Sequence, residues 1–97
     1  EEARQLLLDA LKDPNEEVRS EATTLMGKLN DSHWAIPLLI PNLQDSSPLV
    51  RKNAALALMK LDDPSAIPEL ESCMSSEKDA NLIPIFRLAI NQLGQER

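Results

Sequence analysis

Aromatic residues are almost absent from this sequence, which has one Trp, one Phe and no Tyr among its 97 residues. Glycine is nearly as scarce, with two occurrences, which argues against a β fold rich in tight turns. Apolar residues still make up 42% of the chain, so a core can form from Leu, Ile, Val, Ala and Met. This set of residues suits helices, and the composition therefore predicts one small all-α domain.

Basic residues are also few: ten Lys and Arg stand against sixteen Asp and Glu, a net charge of −6. Nucleic-acid-binding domains usually have a basic surface, so we expect no nucleic-acid partner. The longest apolar stretch, residues 35–43, is interrupted by Pro37 and Pro41 and is far shorter than the ~18 residues of a membrane span. Cys73 is the only cysteine, so no internal disulfide can form. We therefore expect a cytoplasmic protein that does not bind membranes.

Residues suited to catalysis or metal binding are sparse as well. His33 is the only histidine, and there is no Cys or His cluster for zinc. Cys73 falls on a predicted buried helix stripe and has no evident base to activate it. The paired acids Glu16–Glu17 and Asp62–Asp63 are better explained by helix capping and solvation than by acid–base catalysis. We expect a non-enzyme with no catalytic residues, no metal site and no cofactor.

What the sequence does contain is a repeat with a period of 32 residues. Five residues of the first copy recur in the second: Asp13, Val18, Arg19, Ala22 and Leu29 match Asp45, Val50, Arg51, Ala54 and Leu61. A third, looser copy has an offset of 35, with Ile85 in place of Val50 and Phe86 in place of the arginine. A period in this range is typical of a solenoid, in which each repeat buries its apolar face against its neighbours.

Hydrophobic spacing divides the chain into six helices, paired as an A and a B helix in three repeats. The repeats cover about 1–31, 32–63 and 64–97 of a single domain, which could be a fragment of a longer array. The predicted helices cover about 2–12, 16–29, 34–44, 48–61, 66–74 and 81–93. Asn15 is expected to cap the second helix, Pro41 to bend the third and Gly94 to end the last.

Apolar residues on one side of each helix are expected to face the core. For the first two repeats these include Ala3, Val18, Leu25 and Leu29, followed in the second B helix by Val50, Ala54, Ala57, Leu58 and Leu61. The recurring polar residues have a structural explanation. Asp13 and Asp45 are expected to accept backbone N–H groups, and Arg19 and Arg51 to bridge to a carboxylate in their own or the next repeat.

The recurring motif is Asp-x-x-x-x-Val-Arg-x-x-Ala-x-x-Ala-Leu, followed by Ala-Ile-Pro-x-Leu. Residues 45–58 and 66–70 contain it in nearly complete form, and residues 13–22 and 35–39 contain it in part. It resembles the HEAT-like repeats first grouped around phycobilisome lyases. The resemblance implies an αα-superhelix, a HEAT-like solenoid of three helix pairs whose B helices line the inner face. It is specific for fold and uninformative about function.

Outward positions of the B helices carry a group of basic residues on this acidic chain: Lys28, Lys52, Lys60 and Arg87, with Leu56 among them. The leading hypothesis is a non-catalytic scaffold that binds an acidic or amphipathic protein segment on this face. The alternative is that these are ordinary solvated positions on a structural spacer. The resemblance adds a third possibility, an accessory part of a bilin lyase or phycobilisome-handling protein.

Two further features bear on partners. Trp34 lies between the first two repeats, where its indole could cover the edge of the core or form a binding hot spot. The two ends of the array could also self-associate through exposed apolar residues, for which Leu6, Leu8 and the 86–88 region are candidates.

Overall fold

The computed structural model describes residues 2–95, and every regular element in that range is helical. The predicted all-α fold and its six α-helices are confirmed. The helices, numbered in chain order, are α1 (Glu2–Ala10), α2 (Glu16–Lys28), α3 (Ser32–Leu39), α4 (Pro48–Leu61), α5 (Ile67–Ser76) and α6 (Ile83–Leu93). Two short 3₁₀ segments, Ile40–Gln44 and Pro64–Ala66, follow α3 and precede α5.

The B helices begin where short polar side chains can accept their first free N–H groups. The Asn15 side chain accepts the N–H of Glu17 at 2.7 Å, as predicted for a cap. Ser47 accepts the N–H of Val50 at the start of α4, and Pro48 is the first residue of that helix. Proline fits there because the N–H that it lacks would have no partner within the helix.

The second A helix is shorter than predicted because of Pro41. Helix α3 ends at Leu39, and the chain continues as the 3₁₀ segment Ile40–Gln44. Proline lacks an N–H and its ring crowds the preceding turn, so the α-helical hydrogen bonds cannot continue through Pro41. The predicted interruption of the helical hydrogen bonds at Pro41 is confirmed, and the bend of the axis stays a prediction. Pro37, expected in the first turn, lies inside α3 instead, because Asp31 caps the helix and starts it earlier.

Helix α4 forms the centre of the core and packs against both α2 and α6. Its predicted inward residues are all buried, which confirms that part of the pattern: Val50, Ala54, Ala57, Leu58 and Leu61. The contact with α2 is close at Gly27, where an added Cβ atom would lie 2.9 Å from the Cα atom of Ala57. A glycine is therefore required at this position for the two helices to approach as they do.

Apolar burial in the first repeat differs from the prediction. The sequence predicts that Val18 and Leu25 of α2 and Leu29 immediately after it face inward, but they are 37%, 47% and 46% exposed. Ala3 of α1 is exposed too, and Leu6 is 70% exposed. The physical reason is position, because within residues 2–95 no repeat precedes the first one and covers this side. We call Leu6, Val18, Leu25 and Leu29 the N-terminal face.

Two other placements correct the sequence-based expectations. Ser20 lies 32 residues before Lys52, one of the predicted outward positions, but it is buried, and Asn53 of α4 donates its side-chain amide to the Ser20 hydroxyl oxygen. Phe86, expected on an exposed end, is fully buried, whereas Leu88 is 47% exposed. Phe86 packs inside the core in the place where the other B helices carry an arginine, so it cannot contribute to self-association.

Candidate functional site

Each junction between repeats is held by an arginine that bonds to an acid of the next repeat. Arg19 donates from Nε and Nη2 to the two carboxylate oxygens of Asp45, each at 2.9 Å, and from Nη1 to the carbonyl of Asp13 at 2.8 Å. Arg51 donates in the same way to Glu77, at 2.9 and 3.0 Å, and to the carbonyl of Asp45 at 2.8 Å. The predicted arginine bridges are confirmed. We call each arginine–acid pair a clasp.

The acids of this series also order the turns in which they lie. Asp13 and Asp45 accept backbone N–H groups two residues further on, at 2.8 and 2.9 Å, as predicted. Glu77 does the same with the N–H of Asp79 at 2.9 Å. Glu77 is not among the acids predicted from the sequence, because the third repeat matches the second best at an offset of 35. The signal that could have found it is its position 32 residues after Asp45.

Hydrogen bonding keeps the first clasp ionised. Burial raises the pKa of the Asp45 carboxyl, but the Arg19 guanidinium and the N–H of Ser47 outweigh burial and bring that pKa below its usual range. The same hydrogen bond raises the pKa of Arg19. A planar guanidinium matches a carboxylate with two parallel bonds, which sets orientation as well as distance. These arginines therefore act in repeat stacking.

Three of the basic-face candidates line one groove between α2 and α4. Lys28, Leu56 and Lys60 surround a space of about 240 Å³ together with four further residues, Thr24, Gly27, Asn53 and Ala57. The ammonium groups come from two neighbouring repeats and are exposed, whereas Leu56 is half-buried between them. We call this feature the lysine groove. It combines an apolar floor, two cations and two hydrogen-bonding side chains.

The floor of the lysine groove follows from the small residues at the α2–α4 contact. Gly27 and Ala57 bring the two backbones close, so no large side chain fills the space above them. Lys28 and Lys60 each come near the C-terminal end of their helix, where a positive charge complements the helix dipole. Lys52 is half-buried and Arg87 exposed, and neither lines this groove.

Trp34 lies in α3, an A helix, and does not line the lysine groove. Its half-buried indole packs against the core, and the Arg4 guanidinium lies over the ring at 4.2 Å from the centroid. Arg4 also donates to Asp31 at 2.7 Å, and that bond lowers the pKa of the Asp31 carboxyl. These three residues join α1 to α3.

Comparison with known proteins agrees with this architecture. A family model described as HEAT repeats matches residues 3–83. The chain belongs to the HEAT-repeat family. It is also similar to the bilin biosynthesis protein MpeU of Synechococcus sp. (strain WH8020), with 40% identity over 88 residues. That alignment covers 91% of this chain but 30% of the relative, so the chain spans under a third of that protein's length.

Within residues 2–95, neither the environment of Cys73 nor the arrangement of the acidic side chains favours a reactive or metal-binding site. Cys73 is buried, and burial raises the pKa of its thiol, which disfavours the reactive thiolate. Within residues 2–95, no three His, Cys, Asp or Glu side chains are grouped so as to hold a metal ion.

None of the helices in residues 2–95 is both long enough and apolar enough to cross a membrane. The cytoplasmic location stays a prediction.

A second, larger groove of about 760 Å³ lies between α1 and α3, beside the first clasp. Its apolar lining includes Leu8, Leu38 and Pro41, and its rim includes Lys12 and Asp13. It exists because the HEAT-type A helices of the first two repeats contact each other little. This groove is not predicted by the sequence, because it depends on the spacing between helices rather than on residue pattern.

Proposed function

We propose that this HEAT-repeat chain is a non-catalytic module that binds an acidic, amphipathic segment of a protein partner in the lysine groove. The observation that carries the proposal is that Lys28, Leu56 and Lys60, chosen from the sequence as outward B-helix residues, line one groove. The chain as a whole is acidic, with a net charge of −6, so paired lysines mark a local reversal of charge. Such a reversal favours an acidic segment and steers it during encounter.

The chemistry of the lysine groove suits alternating acidic and aliphatic side chains. Lys28 and Lys60 each offer an ammonium group to a carboxylate, and Leu56 offers an apolar contact between them. Thr24 donates its hydroxyl to the Ser20 carbonyl and Asn53 donates its amide to the Ser20 hydroxyl oxygen, so their side-chain oxygens remain as acceptors for backbone N–H groups of a peptide. The space of about 240 Å³ is smaller than the ~300–1,000 Å³ typical of ligand pockets, which favours a few side chains over a large cofactor.

The other candidates extend or test this proposal. Lys52 and Arg87 also belong to B helices, and we infer that they contact the flanking part of a longer partner segment. Trp34 stays a predicted hot spot or packing residue. In the Trp34→Ala variant, a large loss of melting temperature supports packing, whereas unchanged stability with lost binding supports partner contact.

We also propose that the module serves bilin biosynthesis as an accessory, non-catalytic part. The observation that favours this is the 40% identity to a bilin biosynthesis protein over most of this chain. Because the alignment leaves most of that relative unmatched, this proposal concerns the role of a module and not of a whole enzyme. The remaining alternative, a structural spacer, predicts no binding at the lysine groove.

The proposal is tested by titrating the isotope-labelled chain with a synthetic peptide of alternating Glu and Leu, followed by NMR. We expect amide shifts centred on Lys28, Leu56 and Lys60, and at least about tenfold weaker binding for the K28E/K60E double variant. The K12E/K78E variant changes the net charge equally at two other exposed lysines and should bind as the parent does. A peptide with Gln in place of Glu should bind weakly.

Two results would contradict the proposal. Absence of shifts at the lysine groove supports a structural spacer. Equal loss of binding in the K28E/K60E and K12E/K78E variants means that only the overall charge matters.

A further inference from the structure

Trp34 and Asp31 together hold a guanidinium group, which belongs to Arg4 of α1. The guanidinium carbon of Arg4 lies 4.2 Å from the centroid of the indole ring, and Nη2 donates to the Asp31 carboxylate at 2.7 Å. Stacking on an aromatic face and bonding to a carboxylate are two contacts for which a guanidinium is especially suited. The structure therefore shows an arginine site whose occupant comes from the same chain.

Both walls of this site are anchored independently of Arg4. Asp31 caps α3, and its carboxylate accepts the N–H of Trp34 at 3.4 Å. The half-buried indole of Trp34 packs against the hydrophobic core. Because each wall has a structural anchor of its own, we expect the site to keep its shape when Arg4 leaves it.

Helix α1, which carries Arg4, is loosely attached. It is the only α-helix within residues 2–95 that has no buried residue. Leu6, part of the N-terminal face, is 70% exposed, and Leu7 is only half-buried against the core. Among the described residues, Arg4 makes the only side-chain hydrogen bond that joins α1 to another element. The position of α1 thus depends largely on this one side chain.

The bond between Arg4 and Asp31 differs from a clasp. One N–H group of Arg4 bonds to one carboxylate oxygen, whereas Arg19 and Asp45 form two parallel bonds. The side chains of Arg4 and Asp31 are 39% and 38% exposed, against 14% and 12% in the Arg19–Asp45 clasp. Exposed ion pairs contribute little to stability and are screened by salt. Arg4 is therefore held in a way that allows another guanidinium to displace it.

The charge around this site suits a cationic segment. Asp63 lies at the same end of α3 as Asp31, where it accepts the Ser32 hydroxyl at 3.3 Å. The chain as a whole has a net charge of −6. Trp34 does not line the lysine groove, and the two sites select opposite charges. The arginine site is thus independent of the lysine groove.

We propose that Trp34 and Asp31 form a binding site for an arginine side chain of a partner protein, and that Arg4 fills this site in cis as an autoinhibitory contact. The partner arginine displaces Arg4, stacks on the indole and bonds to the Asp31 carboxylate. Asp63 offers an acceptor for a second cation of the same segment. Release of α1 also opens the larger groove between α1 and α3 to the apolar residues that flank the partner arginine.

The test uses the full chain and the fluorescence of Trp34, its only tryptophan. A synthetic peptide of alternating Leu and Arg is titrated into the parent and into the Arg4→Gln variant. We expect a saturable change in Trp34 emission and about tenfold tighter binding to Arg4→Gln, because no arginine in cis competes with the peptide. The same peptide with Lys in place of Arg should bind at least about fivefold more weakly, since an ammonium lacks the planar fork of a guanidinium.

Matched acid variants in the Arg4→Gln background separate the site from overall charge. Asp31→Asn removes the carboxylate but keeps a residue that can cap α3, and it should weaken binding about tenfold. Glu71→Gln removes one charge at an exposed position of α5 and should leave binding unchanged. In the unmodified parent, the arginine peptide should speed hydrogen exchange in α1 and leave α4 unchanged.

Three outcomes would overturn the proposal. The first is equal affinity of the parent and Arg4→Gln for the arginine peptide, together with unchanged exchange in α1 of the parent. The second is equal binding of the lysine and arginine peptides, or equal losses from Asp31→Asn and Glu71→Gln, since either result assigns binding to overall charge. The third is the absence of any change in Trp34 emission in Arg4→Gln with a saturating excess of peptide.

Discussion

Helices α2 and α4 share the same spacing of apolar residues but have different neighbours. Comparing them shows that the apolar pattern of a helix does not by itself determine whether its side chains are buried. Helix α4 lies against both α2 and α6, so its Val50 and Leu61 are withdrawn from water. Within residues 2–95, α2 packs against one other B helix, α4, and contacts α1 and α3 less extensively. Val18 of α2 and Leu29, which follows α2, remain accessible. The repeat motif determines which side of a B helix is apolar. The presence of a neighbouring repeat determines whether that side is buried.

The sharpest test of this comparison is a matched pair of truncations. Leu61→Ala should lower the free energy of unfolding by about 3 kcal/mol, because it leaves a cavity in the core. Leu29→Ala at the matched position should cost less than about 1 kcal/mol, because water already reaches this side chain. Urea unfolding followed by circular dichroism measures both. Equal costs would mean that Leu29 is buried in solution and would break the comparison.

The two glycines provide a second test, of intermediate size. Gly27→Ala should cost about 2 kcal/mol, because the new Cβ atom meets the backbone of Ala57 and α4 must shift. Gly94→Ala should change stability by less than about 1 kcal/mol, since Gly94 has φ −85° and its nearest contact would be at 3.3 Å. The same unfolding measurement compares the two. A stabilised Gly27→Ala variant would show that the α2–α4 contact is looser than described.

The smallest expected effect is the loss, at acidic pH, of the stability that the first clasp contributes. The pKa of Asp45 is lowered in the folded chain, so its stabilisation is complete above the unfolded value of about 3.9 and is lost as pH falls through the folded value. Between pH 6 and pH 3, the melting temperature of Asp45→Asn should therefore fall less than that of the parent, by a difference below about 4 °C. Asp31 and Asp63 also have lowered pKa values and keep part of the acid sensitivity in both proteins. Identical pH curves would contradict the role of this clasp.

Much of the fold could be predicted from local sequence rules. The Asn15 cap, the interruption of the α-helix before Pro41 and the end of α6 at Gly94 depend on single residues, and the structure confirms all three. The bonds of Arg19 and Arg51 followed from recurrence at fixed spacing. These features share one property, which is that their physical cause lies within one or two repeats.

The remaining features depend on relations that a residue pattern does not contain. Exposure of Leu25 arises because no helix within residues 2–95 covers that side of α2, and burial of Phe86 depends on how the third repeat packs on the core. The sequence predicts that the outward basic residues of the B helices share one face. Lys52 and Arg87 nevertheless lie outside the lysine groove, because the groove follows the Gly27–Ala57 contact. Trp34 lies in the A helix α3 and is also outside the lysine groove.

The position of Glu77 has a consequence for how such an array tolerates changes in length. Asp13 and Asp45 each precede the first residue of their B helix by three residues, whereas Glu77 precedes Ile83 by six. The three added residues fall after the acid, so the second clasp keeps the same bonds as the first. The segment between the acid and the B helix is therefore a place where insertions, including grafted loops, can be accepted without a change in the register of stacking.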